Sequence, residues 1–269
     1  MNLGEIRDAY LAEGLSYLDA SAKTCQDTML ALIAKSPLAR NVTIKGGVVM
    51  QHLSKDRRRA TQDFDFDFIR YSLSDQSIRA FISKLGEQSS EISVSIVADM
   101  EELRHQDYKG KRVYIRITDS FGIGIDTKLD IGVHKFLSME QDVFCFDLSK
   151  LDDSVSLLIN TKEQIFTEKL KGFLRLGNLS TRYKDIYDMY WLITVGEISR
   201  AAIQDNVNLI VFNDMTMREN CNADIISRLS KAFADPLFIA SLRDSKRYNW
   251  LEIDPLQATN EIIGFIQGI

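Results

Sequence analysis

Three groups of residues have the types and spacing to do chemistry. Lys45-Gly46-Gly47 follows the strand-like run Asn41-Val42-Thr43-Ile44 and precedes a helical stretch through Leu53. A glycine pair at a strand-to-helix turn lets backbone N–H groups approach a phosphate, and the helix N-terminus adds favourable partial charge. Taken alone, it is also simply a turn. Next, Arg59-Ala60-Thr61-Gln62-Asp63-Phe64-Asp65 puts two carboxylates at i and i+2 of a strand, close enough to share a hard divalent cation. Like charges held that close repel, and desolvated carboxylates are costly without a counter-charge. A half-exposed acidic face is the alternative, although Lys, Thr or Ser would fill such a face with less repulsion. Third, Lys128-Leu129-Asp130-Ile131-Gly132 lies on a later strand, where Asp130 would complete a two-metal carboxylate cluster. Asp126 shares its strand face by parity and competes for that role.

The elements that must position these groups follow from periodicity. From Gln62 to Ile69, Asp63, Asp65 and Asp67 alternate with Phe64, Phe66 and Phe68, which predicts a strand with one aromatic, buried face and one acidic face. Leu3 to Ala34 reads as two helices broken near Ser21–Thr24, and Asp75 to Leu85 as another helix. Ile92–Val97, Arg112–Thr118 and Ile123–Val133 read as strands, the last two joined around Asp119–Gly122. From Thr161 the apolar spacing becomes helical, through Ile165, Leu170, Phe173 and Leu174, then Ile186, Met189, Tyr190 and Ile193. Further helices are expected over Ile198–Asn208, Arg218–Phe233 and Leu256–Ile266. The fold class is therefore α+β, with a mixed-sheet core over 1–150 and an all-helical half over 151–269.

Composition excludes several classes. Of 269 residues, 45% are hydrophobic and 26% charged, which is enough apolar material for a real core and rules out global disorder. Three prolines favour uninterrupted helices. Cys25, Cys145 and Cys221 are odd in number and lack metal-ligand spacing, which argues against a disulfide scaffold or zinc site and for a reducing cytosol. The acidic start has no signal-peptide character, and no apolar run reaches membrane-span length, so a cytoplasmic protein without a membrane partner is expected. His52, His105 and His134 share no metal-site spacing and read as ordinary surface or interface residues.

Glycine pair, D-x-D strand and later strand Asp, in that order, resemble the polymerase-β-type nucleotidyltransferase superfamily. More narrowly, the chain resembles the AbiEii/AbiGii nucleotidyltransferase toxins. Lys45-Gly46-Gly47 and Arg59-x-Thr61-x-Asp63-Phe64-Asp65 carry the first match. Glu168-Lys169-Leu170 followed by Arg182-x-x-Asp185-Ile186-Tyr187-Asp188 carries the second, more specific one. Val48 stands where the motif often has Ser or Thr, and Asp67 is extra and reads as a strand-end residue. The resemblance implies a polymerase-β-like core whose helical domain completes the active site. It implies that Gly46 and Gly47 bind the NTP phosphates with Lys45 beside them, that Asp63 and Asp65 hold Mg²⁺, and that Lys169 meets the triphosphate. Thr61 matches a hydroxyl position and Asp185 a further active-site acid. It also implies the toxic half of a toxin–antitoxin or phage-defence pair, with a cognate antitoxin, and transfer of a nucleotide to a tRNA end.

On residues alone, Lys169 is a helix-surface lysine beside Glu168, Asp185 a partner of Arg182, and Tyr183, Tyr187 and Tyr190 core packing. An acceptor that is a small molecule or a protein stays open, as does an idle binding module, although an intact acidic set argues against idleness. Local charge bears on RNA. Lys55, Arg57, Arg58 and Arg59 against Asp56, and six cations against three acids from Thr161 to Asp185, make basic flanks on a chain of net charge −5. Such flanks are the expected footprint of phosphate contacts, with Arg57, Arg58, Lys171 and Arg175 foremost.

Overall fold

The aromatic face of the Asp/Phe strand organises the first half of the chain. The computed structural model describes residues 1–103 and 110–269, so His105 lies outside the described residues. Two compact units emerge, Met1–Asn160 and Thr161–Ile269.

The first unit is built from α1 (Leu3–Ala12), α2 (Tyr17–Lys35), β1 (Val42–Lys45), α3 (Gly46–Ser54), β2 (Phe64–Phe68) and α4 (Asp75–Gly86). β3 (Ile92–Ile96), β4 (Glu101–Leu103), β5 (Gly110–Asp119), β6 (Gly124–Val133), β7 (Gln141–Leu148) and β8 (Asp153–Asn160) follow. The sheet runs β3-β5-β6-β2-β1-β8-β7, with β4 on β5. β1 with β8 and β2 with β6 are parallel pairs, and the others are antiparallel. The sheet is therefore mixed, and the architecture α+β. Phe64, Phe66 and Phe68 are at most 1% exposed, and the last two meet Phe81 of α4 at centroid distances of 5.7 and 5.1 Å.

Three local outcomes differ from the periodicity reading. The break between the first helices falls at residues 13–16, because Gly14 takes φ +93° and the Ser16 hydroxyl caps α2 by accepting from the Asp19 N–H. β7 and β8 add an antiparallel pair that the reading lacked, and β8 joins β1 in parallel, so the unit ends after Asn160 rather than after residue 150. His134 is 4% exposed and meets Gln141 Nε2 at 2.8 Å, so it is no surface residue.

The second unit is helical. It comprises α5 (Lys162–Leu176), α6 (Tyr183–Thr194), α7 (Arg200–Val207), α8 (Asn222–Phe233), α9 (Pro236–Asp244) and α10 (Pro255–Gln267). Thr161 caps α5, whose Ile165, Phe166, Leu170, Phe173 and Leu174 are buried at helical spacing. Helix α8 begins at Asn222, later than its apolar spacing suggested, and α9 is an added helix started by Asp235 as cap and Pro236 at its first position. Among the described residues no helix is long and apolar enough to cross a membrane.

Candidate active site

β1 runs directly into α3 through Gly46, which holds φ +67°. A Cβ on Gly46 would lie 2.5 Å from Asp65 Oδ2, and one on Gly47 would collide with the Thr61 hydroxyl. Glycine is needed at both positions, and for Gly46 twice over. Their bareness lets the carboxylate of Asp65 and the hydroxyl of Thr61 sit against the first turn of α3.

Strand register assembles the rest. Asp65 lies opposite Lys45 on β1 and opposite Asp130 on β6. Asp126 falls before the β2–β6 pairing and faces Arg116 across β5–β6, with an exposed bidentate ion pair at 2.6 and 2.8 Å. Asp130, not Asp126, is thus the carboxylate beside Asp65. Asp130, Asp63 and Asp67 each have a counter-charge. Arg112 donates from Nε and Nη2 to the two oxygens of Asp130, both at 2.8 Å. The hydrogen bond to Asp130, aided by the field of Asp63, raises the Arg112 guanidinium above its ordinary value. Lys128 meets Asp63 at 2.8 Å in a half-exposed bridge. Asp67 is not a loose strand-end residue: it is 2% exposed and pairs with Lys45 Nζ at 2.6 Å. Lys45, expected beside the nucleotide, is committed to that acid.

Gln26 of α2 also belongs to this site. Its side chain is buried, and Nε2 donates to the carbonyls of Thr61 at 2.9 Å and Asp63 at 3.4 Å, fixing the approach to β2. Nothing in the spacing of a helical glutamine announces that role. Asp63 and Asp65 flank Phe64 at the start of β2. Among the described residues no three His, Cys, Asp or Glu side chains converge as a ready cluster.

The second unit gathers its own constellation. Lys169 Nζ lies 2.5 Å from Asp185 Oδ1 and 2.8 Å from Asp188 Oδ2. Asp188 is fully buried, and its other oxygen accepts from the Trp250 indole N–H at 3.0 Å. Lys169 is therefore oriented by two acids one helical turn apart on α6, rather than lying on a helix surface beside Glu168. Arg182 is 3.9 Å from Asp185, the i−3 contact its spacing suggests. Tyr187 is buried, whereas Tyr183 is only half-buried, near Phe238 and Tyr248. Asp188 was legible only as a motif letter, and Trp250 had no signal.

The residues of the basic flanks divide between surface and interior. Arg57 reaches Glu13, Arg58 forks onto Asp56, and Arg59 is buried. Lys171 is 6% exposed and bonded to Asp214 at 2.5 Å, with Arg175 3.6 Å from the same acid. Burial works to raise Asp214, but bonds from Lys171 and Thr216 outweigh it and hold the carboxyl below its usual range. Lys171 is thus held inside the protein, whereas Arg57 and Arg58 remain at the surface in weak exposed pairs.

Comparison with known proteins follows from this geometry. No curated protein matches the chain. A solved structure described as an antigenic nucleotidyltransferase-like protein from Paracoccidioides brasiliensis is similar at 14% identity and a TM-score of 0.47, covering 83% of this chain and 92% of its own. A family model, Nucleotidyl transferase AbiEii toxin, Type IV TA system, matches residues 27–250. With well over half of its length so matched, the chain belongs to the AbiEii nucleotidyltransferase toxins of type IV toxin–antitoxin systems.

Proposed function

We propose that this nucleotidyltransferase moves the NMP part of an NTP, with Mg²⁺, onto the 3′ end of an RNA such as tRNA, in the cytoplasm and under the control of a cognate antitoxin. One observation carries the reading: Gly46 and Gly47 admit no side chain because Asp65 and Thr61 occupy that space. A bare helix start with a carboxylate against it suits a metal-bound triphosphate, whose phosphates take backbone N–H groups.

The acceptor hydroxyl oxygen attacks the α-phosphorus, the bond to the β-phosphate oxygen breaks, and pyrophosphate leaves. Asp63 and Asp65 would hold Mg²⁺, which accepts one or two carboxylates together with substrate phosphates and water. When bound, it supplies charge against the oxygens that become more negative. Gly46 and Gly47 orient the phosphates through their N–H groups. Asp130 takes the acceptor proton once one of its oxygens leaves Arg112. Lys169, held by Asp185 and Asp188 in the second unit, would serve as the point charge for the pyrophosphate.

The test is incubation with each labelled NTP in turn, Mg²⁺ and total RNA, resolved on a gel. One NTP should label an RNA band, and the label should vanish with Asp63→Asn, with Asp65→Asn and on chelation. No labelling by any NTP, or full labelling by both variants, would overturn the proposal.

A further inference from the structure

The second unit carries a charged aromatic face that no step above uses. From the last turn of α9 the chain reads Arg243-Asp244-Ser245-Lys246-Arg247-Tyr248, three cations against one acid. Arg243, Lys246 and Arg247 are exposed, and Tyr248 is half-buried. The Tyr248 ring is gripped by two cations: Arg247 stands 4.6 Å from its centroid and donates to its hydroxyl at 2.5 Å, and Lys184 of α6 stands at 5.8 Å. Tyr183 lies alongside, with ring centroids 6.2 Å apart. Arg182 and Lys184 continue the face along the start of α6, immediately before Asp185. Arg182, 3.9 Å from Asp185, links this face to the Lys169–Asp185 pair.

This differs from the neutralised flanks. Arg57, Arg58 and Lys171 each have a carboxylate, whereas Arg243, Lys246 and Arg247 make no ion pair among the described residues. On a chain of net charge −5, exposed cations grouped around an aromatic ring form a local positive patch suited to an anion. Vesicle headgroups supply anions but no planar rings, and an acidic peptide supplies rings only at scattered aromatic residues rather than one beside each anion. A single strand of nucleic acid supplies both, with phosphates for the cations and unstacked bases for the tyrosines.

We propose that the face formed by the Lys246–Tyr248 turn and the start of α6 binds the acceptor as single-stranded RNA. The assignment rests on the catalytic reading above only through its closeness to Asp185. The test titrates a fluorescent single-stranded RNA oligonucleotide by anisotropy at several salt concentrations. Lys246→Ser/Arg247→Ser should lose affinity and flatten the log–log salt slope by about 1.4. The charge-matched control Arg79→Ser/Lys84→Ser, on exposed positions of α4, should keep the wild-type slope. Tyr248→Leu, which keeps an apolar side chain, should weaken binding about fivefold or more through lost stacking. Equal slopes in the two double variants would overturn the proposal, and so would a wild type that binds phosphatidylserine vesicles but not RNA. NTP label transfer followed in the same samples separates the two readings. RNA bound through this face without transfer from any NTP refutes the catalytic reading alone, and transfer with an unchanged slope in Lys246→Ser/Arg247→Ser refutes the face alone.

Discussion

Gly46 answers two demands with one missing carbon. Its φ of +67° costs an L-residue about 1–2 kcal/mol, and its Cβ would press on Asp65. Gly46→Ala should therefore lower stability by at least that amount in urea unfolding and displace Asp65, cutting NTP label transfer about a hundredfold, the order associated with losing one charge-stabilising group. Full transfer by this variant would show that Asp65 does not depend on the turn. Lys169 offers the complementary case. Asp188 is fully buried between Lys169 and Trp250, so Asp188→Ala leaves the buried indole N–H without its acceptor and strips Lys169 of one of its two acids, and should cost about 1–3 kcal/mol. Asp185→Ala leaves Lys169 with Asp188 and should cost clearly less. Denaturant midpoints compare the two, and equal losses would mean that Asp188 does not anchor the lysine.

Between elements, α2 and α3 meet through a buried polar contact that pH can address. His52 of α3 lies edge-on to Phe146 at 4.9 Å, with Lys23 Nζ 2.9 Å away and Asp27 at 4.0 Å. Burial, reinforced by the Lys23 charge, pushes His52 down to about 3. The unfolded chain takes up that proton near pH 6.5 and the folded one does not, so folded stability contributed by neutral His52 is present above about pH 6.5 and is lost as pH falls toward 3. Asp27, raised by burial, works in the opposite sense, because the folded carboxyl keeps its proton to higher pH than the unfolded one. His52→Gln removes only the first effect and should lose less stability than wild type between about pH 7 and 5, read from urea midpoints at each pH. Identical pH slopes would remove His52 from the account. None of this was legible in spacing, where His52 was merely a histidine without a partner. The strand Phe64–Phe68 was legible because strict alternation is a local signal, and so were the acids it carries. β7 was not, since as the edge strand it exposes Val143 and Cys145 and its identity lies in pairing with β8. The counter-charges were invisible for the same reason: Arg112 reaches Asp130, and Lys45 reaches Asp67, only through cross-strand register.

For the whole molecule, the decisive question is whether an organism harmed by this chain is harmed by its chemistry. Membership in a toxin family predicts that strong bacterial expression without an antitoxin slows growth. Relief by a variant is informative only if the variant protein is still present, because a loss of 1–2 kcal/mol can itself lower abundance several-fold. Asp63 is suited to this test. Its side chain is half exposed and its bridge to Lys128 is a surface pair, worth about 0–1 kcal/mol, so Asp63→Ala should fold and accumulate like wild type. Asp188→Ala should also relieve toxicity, but by depleting the protein, since the carboxylate it removes is fully buried. Growth curves paired with immunoblots separate the two routes: restored growth at wild-type abundance for Asp63→Ala, and restored growth at reduced abundance for Asp188→Ala. If wild type and Asp63→Ala slow growth equally at equal abundance, the harm does not depend on the Asp63 carboxylate that precedes β2, and the metal-holding role proposed for Asp63 fails.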